Sequence, residues 1–241
     1  MNVFLNSVTG IDDAMVSMYM SKRSWTREKE IEIRHVCSAI FDPILGFKTK
    51  QEEKNYTKFC NLLDKLVAIG VHHNTLLRFI DFSITVEGLH RAGQDDWDSH
   101  AKRFENRIVR SSTRLSSFSC EMSDYYRDKI IPTDLALAYA GVVTPEEIVK
   151  DGVAYVKGVN GYIRKGLENC PDVKRGLYML SIPSNFIFKI NLTEWCHVYK
   201  ERNKNGSANP EVKELCEVIA DQIEDITAGF FDRKLFLDVK N

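Results

Sequence analysis

No two cysteines in this sequence lie closer than twenty residues, which excludes a Cys-x-x-Cys zinc or redox pair. The six (Cys37, Cys60, Cys120, Cys170, Cys196 and Cys216) read as buried free thiols of a reducing compartment. No apolar run approaches the roughly 18 residues of a membrane span. Asp12 and Asp13 interrupt the first twenty residues, where a secretory signal would need an unbroken apolar core. Charge of either sign is not in excess: 33 Lys+Arg against 34 Asp+Glu leaves −1, which excludes a global basic footprint for nucleic acid or a membrane surface. Internal repeats, low-complexity tracts, a P-loop, a Gly-x-Gly-x-x-Gly after a strand and a Gly-x-Ser-x-Gly elbow are all missing. What remains is a chain of 241 residues, 44% hydrophobic and 28% charged, long enough to bury a sizeable core. These features predict a soluble, cytoplasmic protein with no membrane or nucleic-acid partner. With no compositional shift to mark a boundary, a single domain over 1–241 is expected.

Hydrophobic periodicity supplies the elements. Val3 to Leu5 reads as a short strand, Ser7–Asp13 as a turn, and Ala14–Ser21 as a helix with acids in its first turn. In residues 50–69, Phe59, Leu62, Leu63, Leu66 and Ile69 recur at three- and four-residue steps and Gly70 supplies the stop, so an amphipathic helix is predicted. Leu77–Val86 alternates, with Phe79, Asp81, Ser83 and Thr85 on one side, as a strand does. Helices are predicted over Gln94–Leu115, Thr144–Glu168, Phe186–Arg202 and Glu211–Ile226, with a loop at 205–210. Trp25 and Pro43 read as loop anchors in residues 20–50. Few strands among many helices, not in strict alternation, predict an α+β fold with helices packed around a small, mostly antiparallel sheet.

The segment 94–115 carries the most chemistry. At helical spacing Asp96, His100, Arg103, Arg107, Arg110 and Arg114 follow steps of 4, 3, 4, 3 and 4, which would align four guanidinium groups and an imidazole on one face. Trp97, Ala101, Phe104, Ile108 and Leu115 form a neighbouring apolar stripe. A solvated basic face would show the same spacing. That the stripe is all Arg, and runs into Ser111, Ser112 and Thr113, favours an anion site, because Arg forks onto phosphate and planar carbonyls. Asn191, Trp195, Val198 and Arg202 also share a helical face, although an Arg at a helix C-terminus can simply bind the last carbonyls. Asp95, Asp96, Asp98 and His100 could suggest a metal cluster, but acids opening a helix are explained by its dipole, so no metal is expected.

The order of these pieces resembles the flavin-dependent thymidylate synthases (the ThyX family). That family has a helix ending in Gly-His-x-Ser/Thr, a strand, a helix with Arg-His-Arg-x7-Ser followed by Ser-x-Arg-Tyr, an Asn with an Arg eleven residues on, and an Ala-Gln-x-Glu-Ile turn before its last helix. The corresponding stretches here are Gly70-Val71-His72-His73-Asn74-Thr75, the strand at 77–86, the arginine stripe, Asn191 with Arg202, and Ala208-Asn209-Pro210-Glu211-Val212. Arg175, sixteen residues before Asn191, matches another nucleotide-binding Arg. The resemblance spans roughly 65–225. The triplet itself departs from the family. An ungapped register puts Asp98, Ser99 and His100 at Arg-His-Arg and Arg110 at the last Arg. A short insertion instead puts Ser112-Thr113-Arg114-Leu115 at Ser-x-Arg-Tyr. Both registers stay open.

The resemblance implies an enzyme converting dUMP to dTMP with FAD, NADPH and methylenetetrahydrofolate, as a homotetramer with sites shared between subunits. The family uses no protein nucleophile; an Arg stabilises the uracil ring as it becomes anionic. By position Arg202 would be that catalytic residue. Arg175, Arg107, Arg110, Arg114 and Ser112 would bind the nucleotide's phosphate and pyrimidine, and His73, Thr75, His100, Asn191 and His197 would line the flavin. Two rivals stand beside this reading: a pyrimidine-nucleotide-binding protein of the same fold that lost flavin chemistry or changed specificity, and a stripe that is only a subunit interface.

Overall fold

The computed structural model describes residues 1–42, 46–47, 53–100, 106–111, 133–158, 160–169, 182–204 and 209–239. They fall into two compact units, the larger comprising residues 2–86, 96–109 and 187–241, the smaller residues 1, 87–95 and 110–186.

A four-stranded sheet has the strand order β1-β4-β9-β5, from β1 (Asn2–Thr9), β4 (Asp81–His90), β9 (Pro183–Asn191) and β5 (Asn106–Arg110). Phe82, Ile84 and Val86 of β4 and Phe186, Phe188 and Ile190 of β9 are buried at every second position, the period of a half-buried strand. The edge strand β1 is closed by one amide: Gln222 accepts from Leu5 N at 2.7 Å and donates to Val3 O at 2.8 Å, so fewer backbone groups are left to pair with a foreign strand.

Helices cover this sheet. After β1 come α1 (Ile11–Ser21), α2 (Arg27–Ile40), a two-residue hairpin pair β2 (Phe41–Asp42) and β3 (Gly46–Phe47), and α3 (Glu53–Gly70). The predicted stripe of α3 buries Phe59, Leu62, Leu63 and Leu66. Gly10 starts α1 at φ +83, where a Cβ would lie 1.8 Å from the Phe79 carbonyl oxygen, so only glycine fits. A 3-10 turn, Asn74–Phe79, leads into β4 and α4 (Arg91–His100). After β9 come α6 (Leu192–Lys204), α7 (Pro210–Ile226) and α8 (Arg233–Asp238). Pro210 opens α7 and the Asn209 side chain accepts from Glu211 N at 3.0 Å, a polar N-cap with proline in the first turn.

The smaller unit contains α5 (Thr133–Tyr139) and an antiparallel sheet in the order β6 (Glu147–Lys150), β7 (Val153–Lys157), β8 (Tyr162–Arg164). Lys150 pairs with Val153 across Asp151-Gly152, at φ 52 and 76, the left-handed pair that a tight two-residue hairpin needs.

Several expectations change. Thr144–Glu168 is not helical: its Val, Ile and Tyr residues form β6–β8, and the overlooked signal is the Asp-Gly turn. The helix over Phe186–Arg202 is a strand as far as Asn191, because burial there alternates, and a helix only from Leu192. Residues 27–40, for which no element is predicted, form α2; Trp25 lies in the loop before it, as expected, and donates to Glu30 Oε2 at 3.2 Å, while Pro43 lies outside the described residues. Most consequential, Gln94–Leu115 is not one helix: α4 ends at His100, and 106–110 is a strand carrying β-branched Ile108 and Val109 beside β9. Arg107 and Arg110 therefore lie on a strand and not on one helix face, while Arg103 and Arg114 lie outside the described residues. Elsewhere the strand placed at Leu77–Val86 begins at Asp81, after the 3-10 turn. Among the described cysteines, Cys37, Cys196 and Cys216 are buried free thiols and Cys60 is half-buried; Cys120 and Cys170 lie outside. Burial raises the Cys37 thiol to about 12 and raises those of Cys196 and Cys216 as well.

Candidate active site

In the larger unit, Asn191 and Arg202 bracket α6. Asn191, Trp195, Val198 and Arg202 are all buried, so the shared face is real and is the one turned into the core. The Asn191 side-chain oxygen accepts from Glu194 N at 2.9 Å and thereby starts the helix. Eleven residues on, about 16 Å along the axis at helical rise, the Arg202 side chain is only 3% exposed. An isolated guanidinium would not be stable there. Asp96 of α4 compensates it: Nη1 donates to Asp96 Oδ1 at 3.0 Å, and Nη2 donates to the Asp96 backbone carbonyl. Asp96 Oδ2 also accepts from Asn209 N at 3.4 Å, which ties the same carboxylate to the start of α7. Arg202 Nε is buried and makes no hydrogen bond among the described residues. Among the described residues the guanidinium thus retains uncommitted donors.

Around this pair the core is aromatic. Trp97 packs against Phe188, ring centroids 5.0 Å apart, and against Trp195 at 6.5 Å; Trp195 continues to Tyr199 and Phe236. A wall of this kind excludes water and lowers the local dielectric, which strengthens any hydrogen bond Arg202 makes. Behind it Tyr199 donates to Glu217 at 3.0 Å, and its hydroxyl is held above the ordinary tyrosine value, by burial first and Glu217 second.

The turn that carries His73 and Thr75 is tied to the beginning of α6. Thr193 Oγ1 donates to Asn74 O at 2.8 Å, and Leu192 N to Ile80 O at 2.8 Å. Asn191 and the His73–Thr75 turn are therefore brought to one end of the helix. The His73 and Thr75 side chains are exposed and uncommitted among the described residues. A donor set of that kind suits a large polar cofactor, which would use an imidazole and a hydroxyl not consumed by the fold. His197 is half-buried midway along α6. His100 is the last residue of α4.

In the smaller unit, Arg110 donates to Asp95 Oδ1 at 3.1 Å and to the Gln94 carbonyl, and Arg91 lies 3.7 Å from the same carboxylate. Arg107 lies on β5. Ser112, Arg114 and Arg175 lie outside the described residues. Asp95 and Asp96 come too late in α4, which begins at Arg91, to act on its N-terminal dipole; each instead holds an arginine. Among the described residues no group of three or more His, Cys, Asp or Glu could hold a metal ion. None of their helices is long and apolar enough to cross a membrane.

Residues 12–227 match the model of the family described as thymidylate synthase complementing protein. The chain belongs to this family. It is the family of flavin-dependent thymidylate synthases to which the order of motifs pointed. Two solved structures of Helicobacter pylori thymidylate synthase X, both with FAD and dUMP, have the same fold. One is 14% identical, with 98% of this chain and 100% of that chain covered at a TM-score of 0.55. The other is 12% identical, with 100% of each chain covered at 0.54. No curated protein matches the chain. The sequence has Arg202 eleven residues after Asn191 and no Arg-His-Arg triplet.

Proposed function

We propose that this chain is a flavin-dependent thymidylate synthase that methylates dUMP reductively to dTMP, with Arg202 as the residue that holds the uracil ring. The observation that carries the reading is a deeply buried arginine with spare N–H donors, at the family's position relative to Asn191, on an aromatic wall. A dry, preorganised donor of this kind is most effective where charge develops on a carbonyl oxygen, because it needs no reorganisation as the reaction proceeds. The polar rim that would hold the flavin is His73, Thr75, Asn191, His197 and His100, with the first two presenting uncommitted side chains. FAD, held there, would relay to the nucleotide the reducing equivalents that NADPH provides. The chain's own residues bind and orient the nucleotide and exclude water. Arg107, Arg110, Arg114, Arg175 and Ser112 take the nucleotide contacts that the resemblance implies. NADPH and methylenetetrahydrofolate are the co-substrates, residues 1–241 act as one catalytic domain, and the working form is a cytoplasmic homotetramer.

The test is release of tritium from C5-labelled dUMP by the full chain supplied with FAD, NADPH and methylenetetrahydrofolate, read together with the absorbance of protein-bound flavin. Release dependent on all three supports the proposal. A colourless chain that releases none contradicts it, and if that chain still binds dUMP by calorimetry, the nucleotide-binding reading replaces it.

A further inference from the structure

Asp96 does more at Arg202 than neutralise a buried charge. It accepts from Nη1 through its carboxylate and from Nη2 through its own backbone carbonyl, so one residue contacts both terminal nitrogens of the guanidinium and fixes the plane of the group. That backbone is itself anchored, because the next residue, Trp97, is wholly buried against Phe188 and Trp195. The carboxylate's second oxygen takes Asn209 N, whose side chain in turn caps α7. The orientation of Arg202 is thus coupled to α4, to the aromatic core and to the start of α7.

We infer that Asp96 is the positioning residue for Arg202: it holds the guanidinium plane so that the donors it leaves free face the carbonyl edge of a pyrimidine. The inference rests on Arg202 holding the base. The chemistry also sets the ligand class. The Arg202–Asp96 pair is neutral as a whole, so a ligand carbonyl adds a hydrogen bond without bringing a further full charge into the buried site, as a phosphate would. Arg202 therefore contacts the ring end of the nucleotide.

The experiment compares Asp96→Glu, Asp96→Asn and Arg202→Ala in the FAD-loaded full chain, with dUMP as the probe, by calorimetry and by KM and kcat. Glutamate keeps the charge but moves the carboxylate by one methylene, so it preserves neutralisation and misplaces the plane. A positioning role predicts that Asp96→Glu weakens dUMP binding about tenfold, whereas a role in charge balance alone predicts no change. Asparagine keeps an acceptor oxygen without the charge and falls between glutamate and the parent. The glutamate effect should vanish in an Arg202→Ala background, since two residues acting through one contact are not additive. Should Asp96→Glu fail to fold, Asp96→Ser, which is too short to reach Nη1, carries the same expected loss. Parent-like dUMP affinity in a folded Asp96→Glu or Asp96→Ser chain overturns the inference alone. A parent chain that does not bind dUMP overturns the reading of Arg202, and the inference with it.

Discussion

Two arginines of the larger unit are held by carboxylates in opposite ways. Arg34 on α2 uses every nitrogen: Nη1 to Asp12 at 2.6 Å, Nη2 to Asp13 at 2.9 Å and Nε to Glu30 at 3.1 Å, with its side chain 42% exposed. Arg202 has one carboxylate partner, is almost wholly buried, and leaves Nε unbonded among the described residues. The first is a knot of three carboxylates that joins α1 to α2 at the surface, where water screens the attraction and little stability results. The second keeps donors in reserve inside a low-dielectric wall, where each further hydrogen bond counts for more. The number of engaged carboxylates separates the two arginines, and exposure sets how much each contact contributes.

The largest expected effect comes from breaking the second arrangement. Arg202→Ala should lower kcat/KM for dUMP by about 100- to 1,000-fold, the range seen when one preorganised donor is removed. Its cost in folding stability should stay near 1–2 kcal/mol, because Asp96 is 29% exposed and can be rehydrated. Parallel turnover and thermal-denaturation measurements separate the two. Next is Gly10→Ala. Forcing a Cβ against the Phe79 carbonyl at positive φ should destabilise the chain by about 2–3 kcal/mol in urea unfolding, through the segment that delivers Asp12 and Asp13 to Arg34. Removing the knot itself should matter less: Arg34→Ala should cost at most about 1 kcal/mol, shrink further in high salt, and leave turnover unchanged.

The smallest effect is one of pH. Hydrogen bonding to Arg34 holds the Glu30 carboxyl below its ordinary value. A carboxylate whose folded-state value is depressed stabilises the fold fully above the unfolded value and loses that contribution as pH falls through the folded one. Stability should therefore decline as pH falls below the ordinary glutamate range, and Glu30→Gln should flatten that part of a pH-stability profile while leaving the neutral region little changed.

Legibility in the sequence followed range. Helices α3 and α7 are readable because their whole argument is local: an apolar stripe with Gly70 at one end, and Asn209-Pro210 opening the other. Local signals mislead where two elements run together. Phe186 to Arg202 holds no breaker at the junction of β9 and α6, and at 94–115 the apolar residues happened to keep helical spacing across a change of element. The Asp151-Gly152 hairpin was available and was outweighed by the surrounding periodicity. At the site, the spacing of Asn191 and Arg202 was local to one helix face and visible. Asp96 was not, since 106 residues separate it from Arg202 and acids near a helix start have a sufficient local explanation in the dipole.

The most direct measurement is a crystal structure of the FAD-loaded chain with dUMP. A pyrimidine carbonyl oxygen should lie about 3 Å from a guanidinium nitrogen of Arg202, with the Asp96 pair intact behind it. A nucleotide bound elsewhere, with the Arg202 donors covered by protein alone, would contradict it.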